Sequence, residues 1–132
     1  MTLLPPSRRT LIPAAVLDVL LVLVFVLIGR DSHREGFSLA GTAETLWPFL
    51  AGLAIGWVAT RAWRRPLAVV RSGIGIWLAT VVVGMLLRAA SSQGVQLSFV
   101  IVTAIVLGLF LVGWRAVAAP VVRRRSRTRA AR

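Results

Sequence analysis

The sequence predicts an all-α fold, an integral membrane bundle of four transmembrane helices. Of the 132 residues, 58% are hydrophobic and the mean hydropathy is +0.84, whereas a soluble domain of this size needs a larger polar share. The apolar residues also collect in four runs that approach the about 20 residues a helix needs to cross the hydrocarbon core. Because these runs lack the alternation of barrel strands, they are predicted to be helices.

The predicted spans are residues 11–29, 46–63, 72–89 and 96–119. The first run resembles a secretory signal because two arginines precede it. It is longer than the apolar core of a usual signal and carries Asp18, so we predict a membrane span. The spans make a transmembrane domain of residues 11–119, preceded by a cytoplasmic segment of residues 1–10. Residues 120–132 are predicted to form a disordered Arg-rich cytoplasmic tail, because proline stops helices and the tail is mostly polar.

The basic residues fall unevenly on the two sides of the predicted membrane. All 16 are arginines, and thirteen of them lie on one side. Those are Arg8, Arg9, Arg61, Arg64, Arg65, Arg71, Arg115, Arg123, Arg124, Arg125, Arg127, Arg129 and Arg132. The other side has Arg30, Arg34 and Arg88. Since arginine-rich short loops stay inside the cell, we expect a multi-pass plasma-membrane protein with both termini in the cytoplasm.

Composition also excludes several kinds of chemistry. The chain has no cysteine and no lysine, which excludes disulfides, thiolate metal sites and lysine Schiff bases. We expect no cofactor and no metal. The net charge of +12 is compatible with nucleic-acid binding, but the arginines follow apolar runs, so anionic lipid headgroups are the expected partner of the tail and nucleic acid is not.

Asp18 lies inside the first predicted span, where an ionisable side chain needs a partner or a function. Arg115 near the end of the fourth span and Arg61 near the end of the second both approach its depth. An intramembrane Asp18–Arg115 charge pair is the simplest interpretation. The alternative is a carboxylate coupled to proton or ion movement, as in small transporters.

A second polar cluster follows the first span on its external side. Arg30 and His33 lie there, and Arg88 ends the third span on the same side, so the three residues are candidate ligands for an anionic headgroup or phosphate. His33 titrates near neutral pH and would strengthen such binding as the pH falls. The alternative is a solvated rim in which neighbouring carboxylates neutralise the arginines.

Small residues predict where helices pack. Gly52 and Gly56 form a Gly-x-x-x-Gly step that flattens one face of the second span, and Gly75 and Gly84 are similar candidates in the third. The five tryptophans lie mostly near span ends, as in an interfacial aromatic belt, and Trp57 and Trp77 are the deeper exceptions.

The polar and aromatic pattern resembles a known family. It comprises Asp18, Gly29-Arg30-x-x-His33, Trp47-Pro48-Phe49, Gly56-Trp57, Gly84-Met85-x-x-Arg88, Ser98-Phe99 and Gly113-Trp114-Arg115. In these motifs the chain, over about residues 14–118, is similar to the uncharacterised domain-of-unknown-function family 3054 of small prokaryotic four-span membrane proteins. The resemblance implies the four-span architecture, and it implies no particular activity, substrate or cofactor.

Three functional hypotheses follow. The first is a transporter-like or accessory membrane component that handles an anionic or lipid ligand. The second is a membrane enzyme acting on a lipid or phosphorylated headgroup at the outer face through His33, although one histidine with scattered carboxylates is a poor catalytic set. The third is a structural subunit of a membrane complex, and a parallel homo-oligomer or another membrane protein is a possible partner.

Overall fold

A computed structural model of the chain describes residues 8–32 and 38–130, and these residues fold into four helices. The first helix is Arg8–Ser32 and the second is Leu39–Thr60. The third begins with a π-helical segment, Val69–Ile74, and continues as Gly75–Ala90. The fourth comprises Leu97–Leu107, a π-helical segment at Gly108–Val112, and Gly113–Ala130. The prediction of an all-α fold is confirmed.

Three of the helices in the described part of the chain are long and apolar enough to cross a membrane. They are Thr10–Arg30, Val69–Ala90 and Leu97–Arg125. The second helix is not among them, and Glu44, Pro48 and several glycines interrupt its hydrophobic run. Length and composition thus support a membrane protein and identify three candidate spans rather than the four predicted.

Side-chain contacts show that neighbouring helices run antiparallel. Asp18, in the first half of the first helix, bonds to Trp57 near the end of the second. Later in the first helix, the Phe25 ring lies 5.5 Å from that of Phe49, which is earlier in the second. The other neighbouring pairs show the same reversal. We call the two ends of this arrangement the Asp18 end and the Arg30 end.

Glycines bring the second and third helices together. A Cβ atom at Gly52 would lie 3.0 Å from the Thr80 Cα, and one at Gly56 would lie 2.9 Å from the Ile76 Cα. Both positions face the backbone of the third helix, so only glycine allows this separation. In this contact the small residues that lower the hydropathy of the second helix are buried against protein.

Glycine also makes room for side chains in the third helix. A Cβ atom at Gly84 would lie 2.6 Å from the Phe49 ring, and one at Gly75 would clash with the Thr60 side chain. The structure therefore places all four glycines singled out in the sequence at contacts between the second and third helices.

The two π-helical segments pack against each other near the Asp18 end. A Cβ atom at Gly73 would lie 3.3 Å from the Arg115 Cδ and 3.7 Å from the Val112 Cα. A π-helical turn adds a residue to the helical repeat and so rotates the residues that follow it. The segment before Gly113 therefore contributes to the direction in which Arg115 points.

The helix ends differ from the sequence expectation in two places. The second helix begins at Leu39, because the Ser38 hydroxyl accepts a hydrogen bond of 3.0 Å from the Gly41 amide and caps the helix. The fourth helix continues through Pro120 to Ala130. The prediction of a disordered chain from residue 120 is therefore corrected for the described residues, since alanine and arginine favour helix strongly enough to extend it past the proline.

Candidate functional site

A buried ion pair occupies the Asp18 end. The Arg115 guanidinium faces the Asp18 carboxylate, with Nη1 2.8 Å from Oδ1 and Nη2 2.6 Å from Oδ2. Both side chains have 0% exposure. The structure thus brings together the two residues that were predicted as an intramembrane charge pair, in the bidentate geometry that suits arginine and carboxylate.

Two tryptophans complete the hydrogen bonding of Asp18. The Trp57 indole donates to Oδ2 and the Trp114 indole donates to Oδ1, each at 2.8 Å. Each carboxylate oxygen therefore accepts two hydrogen bonds, one from an indole and one from Arg115. A carboxylate with four donors is the saturated arrangement that makes burial of its charge tolerable.

Arg115 also binds backbone carbonyl groups. Its Nε donates to the Pro66 carbonyl at 2.7 Å, and Nη1 donates to the Leu111 carbonyl at 2.9 Å. The guanidinium carbon lies 4.6 Å from the centre of the Trp114 ring. The pair thus connects the first, second and fourth helices with the loop that precedes the third.

The loop between the second and third helices is fixed by further bonds. Arg61 ends the second helix in the left-handed conformation, with φ 52°, and the Ser72 hydroxyl donates to the Arg65 carbonyl at 2.6 Å. With the bond from Arg115 to Pro66, these contacts hold the loop against the Asp18 end. We interpret the ion pair as an element that fixes the arrangement of the helices.

Trp57 and Trp114 were not predicted from the sequence as partners of Asp18. Tryptophan near a span end is typical of the membrane interface, and that interpretation concealed the hydrogen bonds. Two signals could have revealed them. Trp57 lies too deep for an interfacial residue, and Trp114 directly precedes the arginine that was already assigned to Asp18.

A cavity of about 820 Å³ lies at the Arg30 end. Arg30 from the first helix and Arg88 from the third both line it, as do Glu44, Gln93 and Gln96. The structure therefore brings two of the three predicted anion ligands to one cavity. The third, His33, lies outside the described residues.

Arg30 is oriented by the second helix. Its Nη1 donates to the Thr45 hydroxyl at 3.0 Å, and that hydroxyl donates to the Gly41 carbonyl at 3.0 Å. A Cβ atom at Gly41 would clash with the Arg30 guanidinium. Glycine at this position therefore permits the guanidinium to lie against the second helix.

Arg88 is oriented by the loop after the third helix. Its Nη1 donates to the Gln93 side-chain oxygen at 3.1 Å, and Nη2 donates to the Gln93 carbonyl at 3.2 Å. The guanidinium carbon also lies 4.5 Å from the centre of the Phe99 ring. Positive φ values at Ser92 (61°) and Gly94 (82°) shape this loop so that Gln93 faces Arg88.

The cavity combines charge with an apolar wall. Phe25 and Val26 of the first helix and Phe99 and Val106 of the fourth line it beside the arginines. Glu44 is the one carboxylate among the lining residues in the part of the chain that the structure describes, where Arg30 and Arg88 supply guanidinium groups. Such a surface suits a ligand with a negative group and an apolar part.

The described residues contain no group of three or more histidine, cysteine or carboxylate side chains placed to hold a metal ion.

Comparison with curated proteins and with solved structures finds no match to this chain. A family profile described as a protein of unknown function, DUF3054, matches residues 15–118. This range includes Asp18, Trp57, Trp114 and Arg115 as well as both arginines of the cavity. Because the match covers most of the sequence, the chain belongs to the DUF3054 family of proteins of unknown function.

Proposed function

We propose that the protein is a four-span membrane protein that binds an anionic group, phosphate or carboxylate, in the cavity at the Arg30 end. The observation that carries the proposal is that Arg30 and Arg88, from different helices, line one cavity. Guanidinium groups bind such anions through paired, charge-assisted hydrogen bonds. The protein is in this view a binding or accessory component rather than an enzyme.

The second helix is included as a span because of its length and neighbours. Its 22 residues correspond to about 33 Å at 1.5 Å per residue, enough to cross the hydrocarbon core. It runs antiparallel to the first and third helices, which are apolar enough to span. Its exposed positions include Ile55 and Val58, whereas its glycines are buried against the third helix.

The exposed surface of the other helices supports a lipid environment. The first helix exposes large apolar side chains about every four residues, and the third and fourth do the same. These residues are Ile12, Val16, Leu20, Val24, Ile28, Leu78, Val82, Leu86, Ile101, Ile105 and Leu109. Stripes of this size on a soluble protein would be an aggregation hazard, whereas in a bilayer they face acyl chains.

The orientation follows from the arginine distribution. The Asp18 end adjoins the Arg61–Arg71 region and the Arg-rich end of the fourth helix, where Arg123, Arg124 and Arg125 are exposed. We propose that this end is cytoplasmic and that its arginines contact anionic headgroups. The cavity at the Arg30 end then opens on the external side.

The arrangement around Asp18 favours binding over proton-coupled transport. Asp18 is paired with Arg115 and has no exposure. Val22, Leu107 and Leu111 are also fully buried and belong to the hydrophobic core, one or two turns from the pair along the helices. A proton carrier needs access to water in at least one state, and the hydrogen bonds to Asp18 would have to break to provide it.

Native mass spectrometry of the full chain tests the proposed site. Arg30→Gln and Arg88→Gln are each expected to weaken retention of phosphatidylglycerol by about tenfold, the effect of losing one charge-assisted hydrogen bond. Retention of phosphatidylcholine should change little. Arg124→Gln is the comparison for headgroup contact at the other end, where the exposed Arg123 and Arg125 remain and little loss is therefore expected. Equal retention by all variants, or loss only in Arg124→Gln, would reject the site.

A further inference from the structure

We propose that the ligand is a membrane lipid with an anionic headgroup, and that one acyl chain enters the cavity sideways from the bilayer between the first and fourth helices. The inference rests on the proposed function and adds the class of ligand and its route. A free phosphate ion or a soluble phosphate ester is the competing source of the same negative group.

Two apolar residues at the edge of the cavity also belong to the outer surface of the helices. Ile28 of the first helix and Val102 of the fourth both line it, yet they are 57% and 54% exposed. They therefore belong both to the cavity wall and to the apolar surface that faces lipid in a four-span arrangement. A cavity bounded by such residues opens toward acyl chains as well as toward water.

The inner wall of the cavity is partly apolar. Phe25, Phe99 and Val106 line the cavity alongside the arginines, and Arg88 lies over the Phe99 ring. A hydrated phosphate gains nothing from these apolar surfaces, whereas an acyl chain covers them and removes them from water. The wall thus fits an amphiphile better than a small anion.

The volume of the cavity also distinguishes a lipid from a phosphate ion. The cavity volume of about 820 Å³ falls within the about 300–1,000 Å³ usual for sites that enclose a small molecule. A phosphate ion would leave most of this space unfilled, and a complete two-chain lipid would exceed it. A headgroup with part of one chain fits, provided that the rest of the lipid stays in the bilayer through a lateral opening.

Gly29 provides a direct test, because it lines the cavity and a Cβ atom built there meets nothing within 4 Å. Gly29→Leu should fill part of the cavity without disturbing the helix. Gly113 is the matched control, since a Cβ atom there also meets nothing within 4 Å and it is not among the cavity-lining residues. A second pair is Val102→Trp at the opening and Ile101→Trp on the adjacent exposed surface.

Affinities for dioleoyl phosphatidic acid and for glycerol 3-phosphate would be measured by native mass spectrometry on the full chain. Gly29→Leu and Val102→Trp are expected to weaken lipid binding at least tenfold, while Gly113→Leu and Ile101→Trp bind as the unmodified chain does. Glycerol 3-phosphate should bind at least a hundredfold more weakly than the lipid.

The inference would be overturned if glycerol 3-phosphate bound as tightly as the lipid, or if both cavity variants kept full lipid affinity. In either case the proposed anion site would survive as long as Arg30→Gln and Arg88→Gln still weakened binding. Failure of those two arginine variants to weaken binding would instead remove the proposed function itself.

Discussion

Arg115 holds Asp18 through two parallel hydrogen bonds of 2.8 and 2.6 Å, across 97 residues of sequence and with neither side chain exposed. The indoles of Trp57 and Trp114 occupy the remaining acceptor positions of the carboxylate. Each member of the pair therefore depends on the other, because removal of either leaves a buried charge without its counter-ion.

The first prediction concerns this dependence. Asp18→Asn should destabilise the protein by about 3–5 kcal/mol. The asparagine NH₂ group would face N–H donors of the indoles and of Arg115, and the buried charge of Arg115 would have no counter-ion. Asp18→Asn combined with Arg115→Gln should recover part of the loss, since neither charge remains. Thermal unfolding in detergent measures both. Losses that simply add in the double variant would show that the two residues are not coupled.

The second prediction separates the indole hydrogen bonds from general packing. Trp57→Phe and Trp114→Phe each remove one hydrogen bond to a buried carboxylate while retaining an aromatic ring, and each should lower stability by about 1.5–3 kcal/mol. Trp63→Phe is the control, because Trp63 is 42% exposed near the same end. Unfolding temperatures that fall equally in all three variants would assign the effect to lost aromatic area instead.

The ion pair could be predicted from the sequence, but its surroundings could not. A carboxylate inside an apolar run needs a partner, and Arg115 and Arg61 were the two arginines that approached its depth from other spans. The bonds from Arg115 to Pro66 and to Leu111 depend on a loop conformation and a π-helical segment. Neither follows from hydrophobic periodicity, because both are set by tertiary packing.

The helices of the fold could also be predicted from the sequence, whereas the start of the second helix could not. Long apolar runs predicted the helices, since lipid permits little else. The start of the second helix at Leu39 depends on the Ser38 cap, a local hydrogen bond that an analysis of apolar runs overlooks. At the other end, Arg30 and Arg88 could be placed near one another by topology, whereas their bonds to Thr45 and Gln93 required the side-chain positions.

The third prediction concerns the glycine contact between the second and third helices. Gly52→Ala and Gly56→Ala should each destabilise the protein by about 1–3 kcal/mol, the usual range for an overpacked core, because the added methyl meets the backbone of the third helix. Gly113→Ala meets no atom within 4 Å and should be neutral or slightly stabilising. Unfolding in detergent provides the comparison, and equal stability of the three variants would contradict a close contact.

The fourth prediction tests how Arg30 is positioned. Gly41→Ala should displace the Arg30 guanidinium, because the new methyl would occupy its place against the second helix. Retention of phosphatidylglycerol should fall by about as much as in Arg30→Gln, roughly tenfold for one lost charge-assisted bond. Ala43→Gly serves as the control because Ala43 is exposed on the same helix. Unchanged retention in Gly41→Ala would show that this orientation of Arg30 is unnecessary for binding.

The last prediction decides whether the second helix crosses the membrane. The chain contains no cysteine, so a single introduced cysteine can be labelled with an impermeant maleimide without background. Gly36 and Arg64 flank the second helix in sequence. If the helix spans, Gly36→Cys should be labelled in intact cells while Arg64→Cys is protected until the membrane is opened.

Two further positions complete the topology test. Ser91 follows the third helix at the Arg30 end and Thr128 lies near the end of the fourth, and both are exposed. Ser91→Cys should be labelled in intact cells, as Gly36→Cys is. Thr128→Cys should be protected, as Arg64→Cys is, because the arginine-rich ends remain inside the cell. Identical labelling of Gly36→Cys and Arg64→Cys would place both on one side and exclude four spans. The cavity at the Arg30 end would then need a different position relative to the bilayer.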